Sequence, residues 1–297
     1  MTLSPLSNLA RHDKIKREVQ QKSELIPSLP DVVTEILGLL NNNQGAELKD
    51  FEKHLQKDAS LVARMLRVVN SPFYGMPQPV NSIKEAVMIL GFRSLRSLVL
   101  AATTANYLER NFSCFGHSEK GLWIHSLCVA SGARTLAKET RQKADIREGV
   151  FVAGLLHDIG KMLLGPFLAE SNDTVSMYEG EQVDIETTLL GMNHTEAGEL
   201  IAEKWNLGAM VQTAIKAHHG TELPEGFENE VALIRLADNY AKELGKGYQE
   251  GYEPDVRYLQ ADLDQLKLDE DKWDDAKFEM KEAMETAIAT LNNLGTS

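Results

Sequence analysis

Three side chains that can do chemistry stand almost together in the segment Val150-Phe151-Val152-Ala153-Gly154-Leu155-Leu156-His157-Asp158-Ile159-Gly160-Lys161. An apolar run with the character of a buried helix ends in an imidazole, a carboxylate, a glycine and a lysine. A helix that buries its body and ends in His157 and Asp158 delivers two metal-ligand types to the edge of a core. Gly160 can take the left-handed backbone that closes a helix, and Lys161 can turn a cation toward an anionic ligand. The bland alternatives are a histidine on a helix C-terminus, an aspartate capping the next turn and a surface lysine.

The pattern around this segment favours metal. Of the eight histidines, His125, His157, His194, His218 and His219 fall in predicted helices or at their ends. Asp238 lies on an otherwise apolar stripe with Leu233, Leu236 and Ala237, where a carboxylate needs a partner. Metal or Arg235 could serve, and metal is the favoured reading. His194 sits in Asn193-His194-Thr195-Glu196, where a capping role is the alternative. His218 and His219 lie ~100° apart on a helix, so one can ligate metal while the other contacts a bound ligand. A mixed imidazole and carboxylate set suits Fe, Mn, Zn or Ni better than Ca or a thiolate site. About six ligands leave room for one or two ions, with Asp158 as the bridge between two. Such a centre activates water against phosphate esters.

The elements that carry these residues are helices. Val32, Val33, Ile36, Leu37 and Leu40 form one stripe, and Leu48, Phe51 and Leu55 mark the next helix. Asp58 caps a third, which stops at the breaker-rich turn Asn70-Ser71-Pro72-Phe73-Tyr74-Gly75. Asn70 is read as architectural there, docking Phe73 and Tyr74 onto the core. Ser82-Ile83-Lys84-Glu85 is a capping-box candidate opening a helix that Gly91 closes. A long apolar helix then runs from about 92 to 108. The helical period lapses over 111–118, the best internal boundary. Further helices are expected near 119–139, 147–157, 185–204, 209–219, 229–244 and 271–292. No strand alternation of any length is present, so the expected fold class is all-α. Four segments follow: an N-terminal helical extension (1–24), an N-terminal helical half (25–112), a metal-site half (113–245) and an acidic C-terminal helical extension (246–297).

Composition narrows the function classes. Of 297 residues, 43% are hydrophobic and 25% charged, ordinary for a globular protein. No uninterrupted apolar run has the length of a membrane span, and the N-terminus lacks a basic start and an apolar signal core. Cys114 and Cys128 are too few for a disulfide framework. A cytoplasmic protein, with no membrane association, is expected. Formal net charge is −13, and residues 253–297 carry 12 Asp and Glu against 5 Lys and Arg. No basic cluster could displace the counterions of duplex DNA, so direct nucleic-acid binding is not expected. Arg93 and Arg96 are read as locally paired, Cys128 as close helix packing, and His12, His54 and His117 carry no functional reading.

The series His125, His157-Asp158, His194, His218-His219, Asp238 resembles the ligand order of the HD superfamily of metal-dependent phosphohydrolases. In the first half, Leu29-Pro30, Val68-Val69-Asn70-Ser71-Pro72-Phe73-Tyr74 and Ile83-Lys84-Glu85-Ala86-Val87-Met88-Ile89-Leu90-Gly91 are similar to the HDOD domain, a regulatory relative. The resemblance spans about 25–245. It implies an HD-like helical fold coupled to bacterial signal transduction, with protein partners. Many HDOD members have lost metal ligands; this chain keeps the full series. An active enzyme of this kind, working through Asp158 and Lys161 on a phosphate-containing small molecule, is the alternative. After His218-His219 the chain reads Gly220-Thr221-Glu222-Leu223-Pro224, without the Gly-Tyr-Pro of cyclic-di-GMP-cleaving relatives, which speaks against that substrate.

Overall fold

A computed structural model describes residues 12–18, 28–41, 47–70, 74, 76, 78–171, 174–249 and 257–294. Residues 12–18 are helical, and beyond them the helices are α1 (Asp31–Asn41), α2 (Leu48–Leu55), α3 (Ala59–Val69), α4 (Ile83–Leu108), α5 (Gly121–Glu139), α6 (Ala144–Leu156), α7 (Lys161–Ser171), α8 (Gln182–Leu190), α9 (His194–Lys204), α10 (Ala209–Ala217), α11 (Glu228–Glu243), α12 (Leu259–Leu266) and α13 (Glu270–Leu294). Among the described residues there is no β-strand, only an isolated antiparallel bridge between His117 and Tyr248. The all-α expectation holds.

Local chemistry accounts for the starts and stops. Asp58 accepts from Leu61 N at 2.8 Å and Ser82 from Glu85 N at 3.1 Å, each satisfying an orphan donor of the first turn. Glu85 reaches back to Asn81 N rather than to Ser82, so the predicted capping box is only half formed. Gly91 (φ 80°) breaks α4 where expected, because only glycine takes that backbone cheaply. Asn70 is architectural through its side chain: Oδ1 accepts from Val80 N at 2.6 Å and Nδ2 donates to Val80 O at 2.7 Å. Tyr74 is partly buried, with the Arg134 guanidinium over its ring; Phe73 and the Arg93 side chain lie outside the described residues. Arg96 is partly buried.

Three expectations need correction. The single helix near 185–204 is two, α8 and α9, because Gly191 turns left-handed (φ 79°) and Asn193 starts a new helix. Helices α7 and α12 were not anticipated; the first runs through Pro166. Finally, the stretch Ala144–Glu170 does have the length and apolar content of a membrane span, yet 89% of its apolar window is buried inside the fold. That is the signature of core helices, and α6 shows why: every residue from Val150 to Leu156 is buried.

One hydrophobic cluster runs through both halves, from Val33 and Phe51 through Leu98 to Leu155, Ile234 and Met284. Helix α5 is its axis, packed most extensively against α6 and α13. The fit is close. A Cβ on Gly154 would lie 2.9 Å from Ala130 backbone atoms, and one on Gly132 would lie 2.5 Å from Met284 Cε. Cys128 is buried in this same packing.

Candidate metal centre

Five segments converge at one end of this core. Helix α5 supplies His125, the end of α6 supplies His157 and Asp158, the first turn of α9 supplies His194, the end of α10 supplies His218 and His219, and α11 supplies Asp238. His125, His157, Asp158, His194, His218 and Asp238 are buried, and His219 is partly so. All seven residues expected as ligands thus meet in one place.

Asp158 lies between two sets of imidazoles. Its Oδ2 is 3.4 Å from His157 Nε2 and 3.7 Å from His125 Nε2, while Oδ1 is 3.2 Å from His194 Nε2 and 3.8 Å from His218 Nε2. Asp238 Oδ1 is 3.0 Å from His125 Nε2 and 3.7 Å from His157 Nε2. In each of the sets His125, His157, Asp158 and His194, His218, His219, one donor atom per residue lies within 4.8 Å of the others. Either set could hold a metal ion.

The outer faces of three imidazoles are already committed. His157 Nδ1 donates to Gly154 O at 2.7 Å, His218 Nδ1 to Ile215 O at 2.8 Å, and His194 Nδ1 to Glu186 Oε2 at 2.7 Å. A carbonyl can only accept, so Nδ1 of His157 and of His218 carries a proton and Nε2 is the nitrogen each ring turns to the centre. Such outward hydrogen bonds fix the tautomer and orientation of metal-bound histidines. Buried and without a hydrogen-bond partner are Nε2 of His125, His157 and His219 and Oδ1 of Asp158 and Asp238. Five buried polar atoms in one spot are hard to sustain unless a cation joins them. The donor set therefore fits a divalent transition metal.

Two buried lysines balance the carboxylates. Lys161 Nζ lies 2.7 Å from Asp158 Oδ2, and Lys242 Nζ lies 2.7 Å from Asp238 Oδ2. Burial alone would raise both carboxyls; Lys161 and His157 beside Asp158, and Lys242 and His125 beside Asp238, hold them well below the usual carboxylate range. Burial pushes His125 and His218 down to about 4, against the pull of the neighbouring carboxylates. Burial opposes charging of His157 too, but Asp158 and Asp238 outweigh it and raise that group.

Several expectations change. Lys161 is fully buried on Asp158, so it is neither a surface lysine nor free to meet an anion as it stands. Arg235 does not serve Asp238: it pairs with Asp262 at 2.9 Å and donates to Gly220 O, while Lys242 takes the Asp238 role. Asn193, not His194, is the cap of α9. Gly160 is not left-handed; its Cβ would lie 1.9 Å from His194 O, so its smallness lets the α6–α7 turn touch α9.

Sequence reasoning missed four residues. Lys242 stands four after Asp238 on one helix, a spacing that could have been read as a pair. Glu186 is buried and takes both the ring and the backbone N of His194. His117, given no role, is buried with its Nε2 3.4 Å from Lys161 Nζ, and Tyr248 OH is 3.3 Å from the same atom. Neither of these last two carries a periodic signal, because both lie in irregular segments.

The chain matches the family model described as HDOD domain over residues 26–221. It is 26% identical over 230 residues to an uncharacterized protein of Treponema pallidum (strain Nichols), covering 76% of this chain but only 44% of that relative. A crystal structure of an HDOD domain protein of unknown function from Geobacter sulfurreducens matches with a TM-score of 0.74 and 26% identity, covering 95% of this chain and 98% of the other. A candidate phosphohydrolase from Shewanella amazonensis matches with a TM-score of 0.69 and 23% identity, over 92% and 96% of the two chains. The latter likeness shows a shared fold.

Proposed function

Because this chain belongs to the HDOD domain family, we propose that it is a regulatory signal-transduction protein whose His/Asp centre holds one or two divalent transition-metal ions. One observation carries the metal reading: His157, His194 and His218 each spend Nδ1 on an outer acceptor, so three Nε2 atoms turn inward onto Asp158. Fe, Mn, Zn and Ni suit this donor set. His125, His157, Asp158 and Asp238 would hold one ion; His194, His218 and His219, with the second oxygen of Asp158, would hold another. A bound ion would supply Lewis-acid neutralisation of an anionic ligand.

The regulatory reading rests on closure. His125, His157, Asp158, Lys161 and His194 are at most 1% exposed, and Lys161 is spent on Asp158. A phosphate ester would have to open the centre and draw Lys161 away before it could be bound. A protein that answers a small phosphate-bearing signal by changing shape toward partner proteins fits that arrangement better than a turnover enzyme does. The net charge of −13 accords with protein partners rather than nucleic acid. We place the protein in the cytoplasm, consistent with its two unpaired cysteines.

A second reading, an active metal-dependent phosphohydrolase, is favoured by the position of Asp158 between two ligand sets. In that reading Asp158 would help hold the metal and Lys161 would contact the phosphate once released from the carboxylate. Metal analysis of protein purified without chelator tests the common premise: one to two equivalents are expected in the native chain and near none in Asp158→Asn. No metal after reconstitution would sink both readings. Metal-dependent turnover on a phosphodiester panel would favour the enzyme, and its absence in metal-loaded protein the regulator.

A further inference from the structure

Tyr248 follows the end of α11 on a short strap, residues 245–249, that turns at Gly245 (φ 64°) and Gly247 (φ 82°). The strap lies on the segment leading into α5. Gly247 O accepts from Ser118 N at 3.1 Å and faces His117 Nδ1 at 3.2 Å, and Gln249 N donates to Gly116 O at 2.8 Å. A Cβ on Gly247 would lie 2.1 Å from Gly121 O and 2.8 Å from His125 N, so only glycine lets the strap sit this close to the ligand-bearing helix. The seat delivers the Tyr248 ring to 4.3 Å from the His117 ring and 4.9 Å from that of His125. Its hydroxyl reaches Lys161 Nζ. Tyr248 is 6% exposed, and His125 behind it is fully buried.

We propose that Tyr248 is the cover of the centre on its His125 side and the positioning residue for Lys161, so that solutes reach His125 only when the 245–249 strap lifts. This deepens the reading of the centre as a ligand-responsive metal site by naming what controls access to it. The strap is held by hydrogen bonds to the 116–118 segment and by contacts of Tyr248 with His117, His125 and Lys161. Segments held in this way open locally at less free energy than whole-protein unfolding requires. When the strap lifts, Lys161 loses the hydroxyl that helps keep it over Asp158. Cover and cation are thus released together.

The test uses metal-free full-length protein, so its outcome does not depend on whether metal binds. Diethyl pyrocarbonate modifies accessible neutral imidazoles, and peptide mass mapping reads each histidine separately, with the half-buried His54, far from the centre in sequence, as internal reference. In Tyr248→Ala, His117 and His125 are expected to react at least about tenfold faster than in the wild type. His194 and His218 stay protected. Tyr248→Phe keeps the ring and is expected to protect both histidines as the wild type does. Unchanged protection of His117 and His125 in Tyr248→Ala overturns the proposal. Equal acceleration at His194 and His218 in both variants also overturns it, because that pattern reports a loosened fold and no specific cover.

Discussion

The Nε2 atoms of His194 and His218 lie 3.2 Å apart. Each ring donates from Nδ1 outward, to Glu186 and to Ile215 O. Two inward Nε2 atoms thus face each other and Asp158 Oδ1, an arrangement that a cation would hold together. Removal of metal by a chelator is therefore expected to lower the thermal midpoint, and a divalent transition metal to restore it. At 100-fold excess over its Kd the ion adds about 2.7 kcal/mol. Differential scanning calorimetry with and without chelator measures this; coincident transitions would mean the centre takes no ion.

Lys161 and Asp158 form a buried pair, and removing one partner strands the other. Lys161→Met is expected to destabilise the metal-free protein by about 3 kcal/mol. Adding Asp158→Asn to Lys161→Met should recover part of that loss, since the uncompensated charge is gone. Urea unfolding of the four proteins closes the cycle, and strictly additive effects would show the pair to be uncoupled.

Glu186 acts on the centre through His194. Replacing it with glutamine keeps the size but removes the charge that holds the Nδ1 proton, and Gln182 Nε2, which donates to Glu186 Oε1 at 2.8 Å, stays in place. Metal affinity should fall roughly 10–100-fold with little change in the metal-free midpoint. Competition against a metallochromic chelator reads the Kd; an unaltered value would leave Glu186 a purely structural group.

Acid should weaken the metal-free fold well before carboxylates titrate. In the unfolded chain His125 and His218 protonate near 6.5, but in the folded one they resist until about 4. Their stabilisation is complete above the unfolded value and is lost as pH falls from about 6.5 to about 4, roughly 3 kcal/mol each. His157, raised instead, works in the opposite direction: its contribution is present at low pH and fades as pH rises through its folded value. Below this window Asp158 and Asp238, both depressed, lose theirs in turn. Urea midpoints in chelator should therefore drop between about pH 7 and about pH 5; a flat profile there would contradict the balance.

Gly160→Ala is expected to destabilise by about 3 kcal/mol and to weaken metal binding as well. The new methyl would meet His194 O and Gly198 N, at 1.9 and 2.5 Å, and push α9 away from Asp158. Calorimetry and metal titration check both effects, and wild-type values in each would show that the turn can yield.

The helical class, the positions of most helices and the seven candidate ligands were legible in the sequence. Apolar residues at helical spacing mark which face is buried, and the histidines and Asp238 stood out because polar groups at the ends or on the stripes of apolar helices need partners. What the sequence left open is who those partners are. It read Gly160 as a turn former, whereas the contact with His194 O is made by a segment some 34 residues away along the chain. It offered Arg235 to Asp238, whereas helical rotation aims Arg235 at Asp262 and Lys242 at Asp238. It gave His117 and Tyr248 nothing, because neither sits in a periodic element and their roles arise only where the strap after α11 lies on the turn before α5. Periodicity is local and is written in the chain. The pairing of buried charges is decided by which surfaces the packed helices bring within a few ångströms of each other.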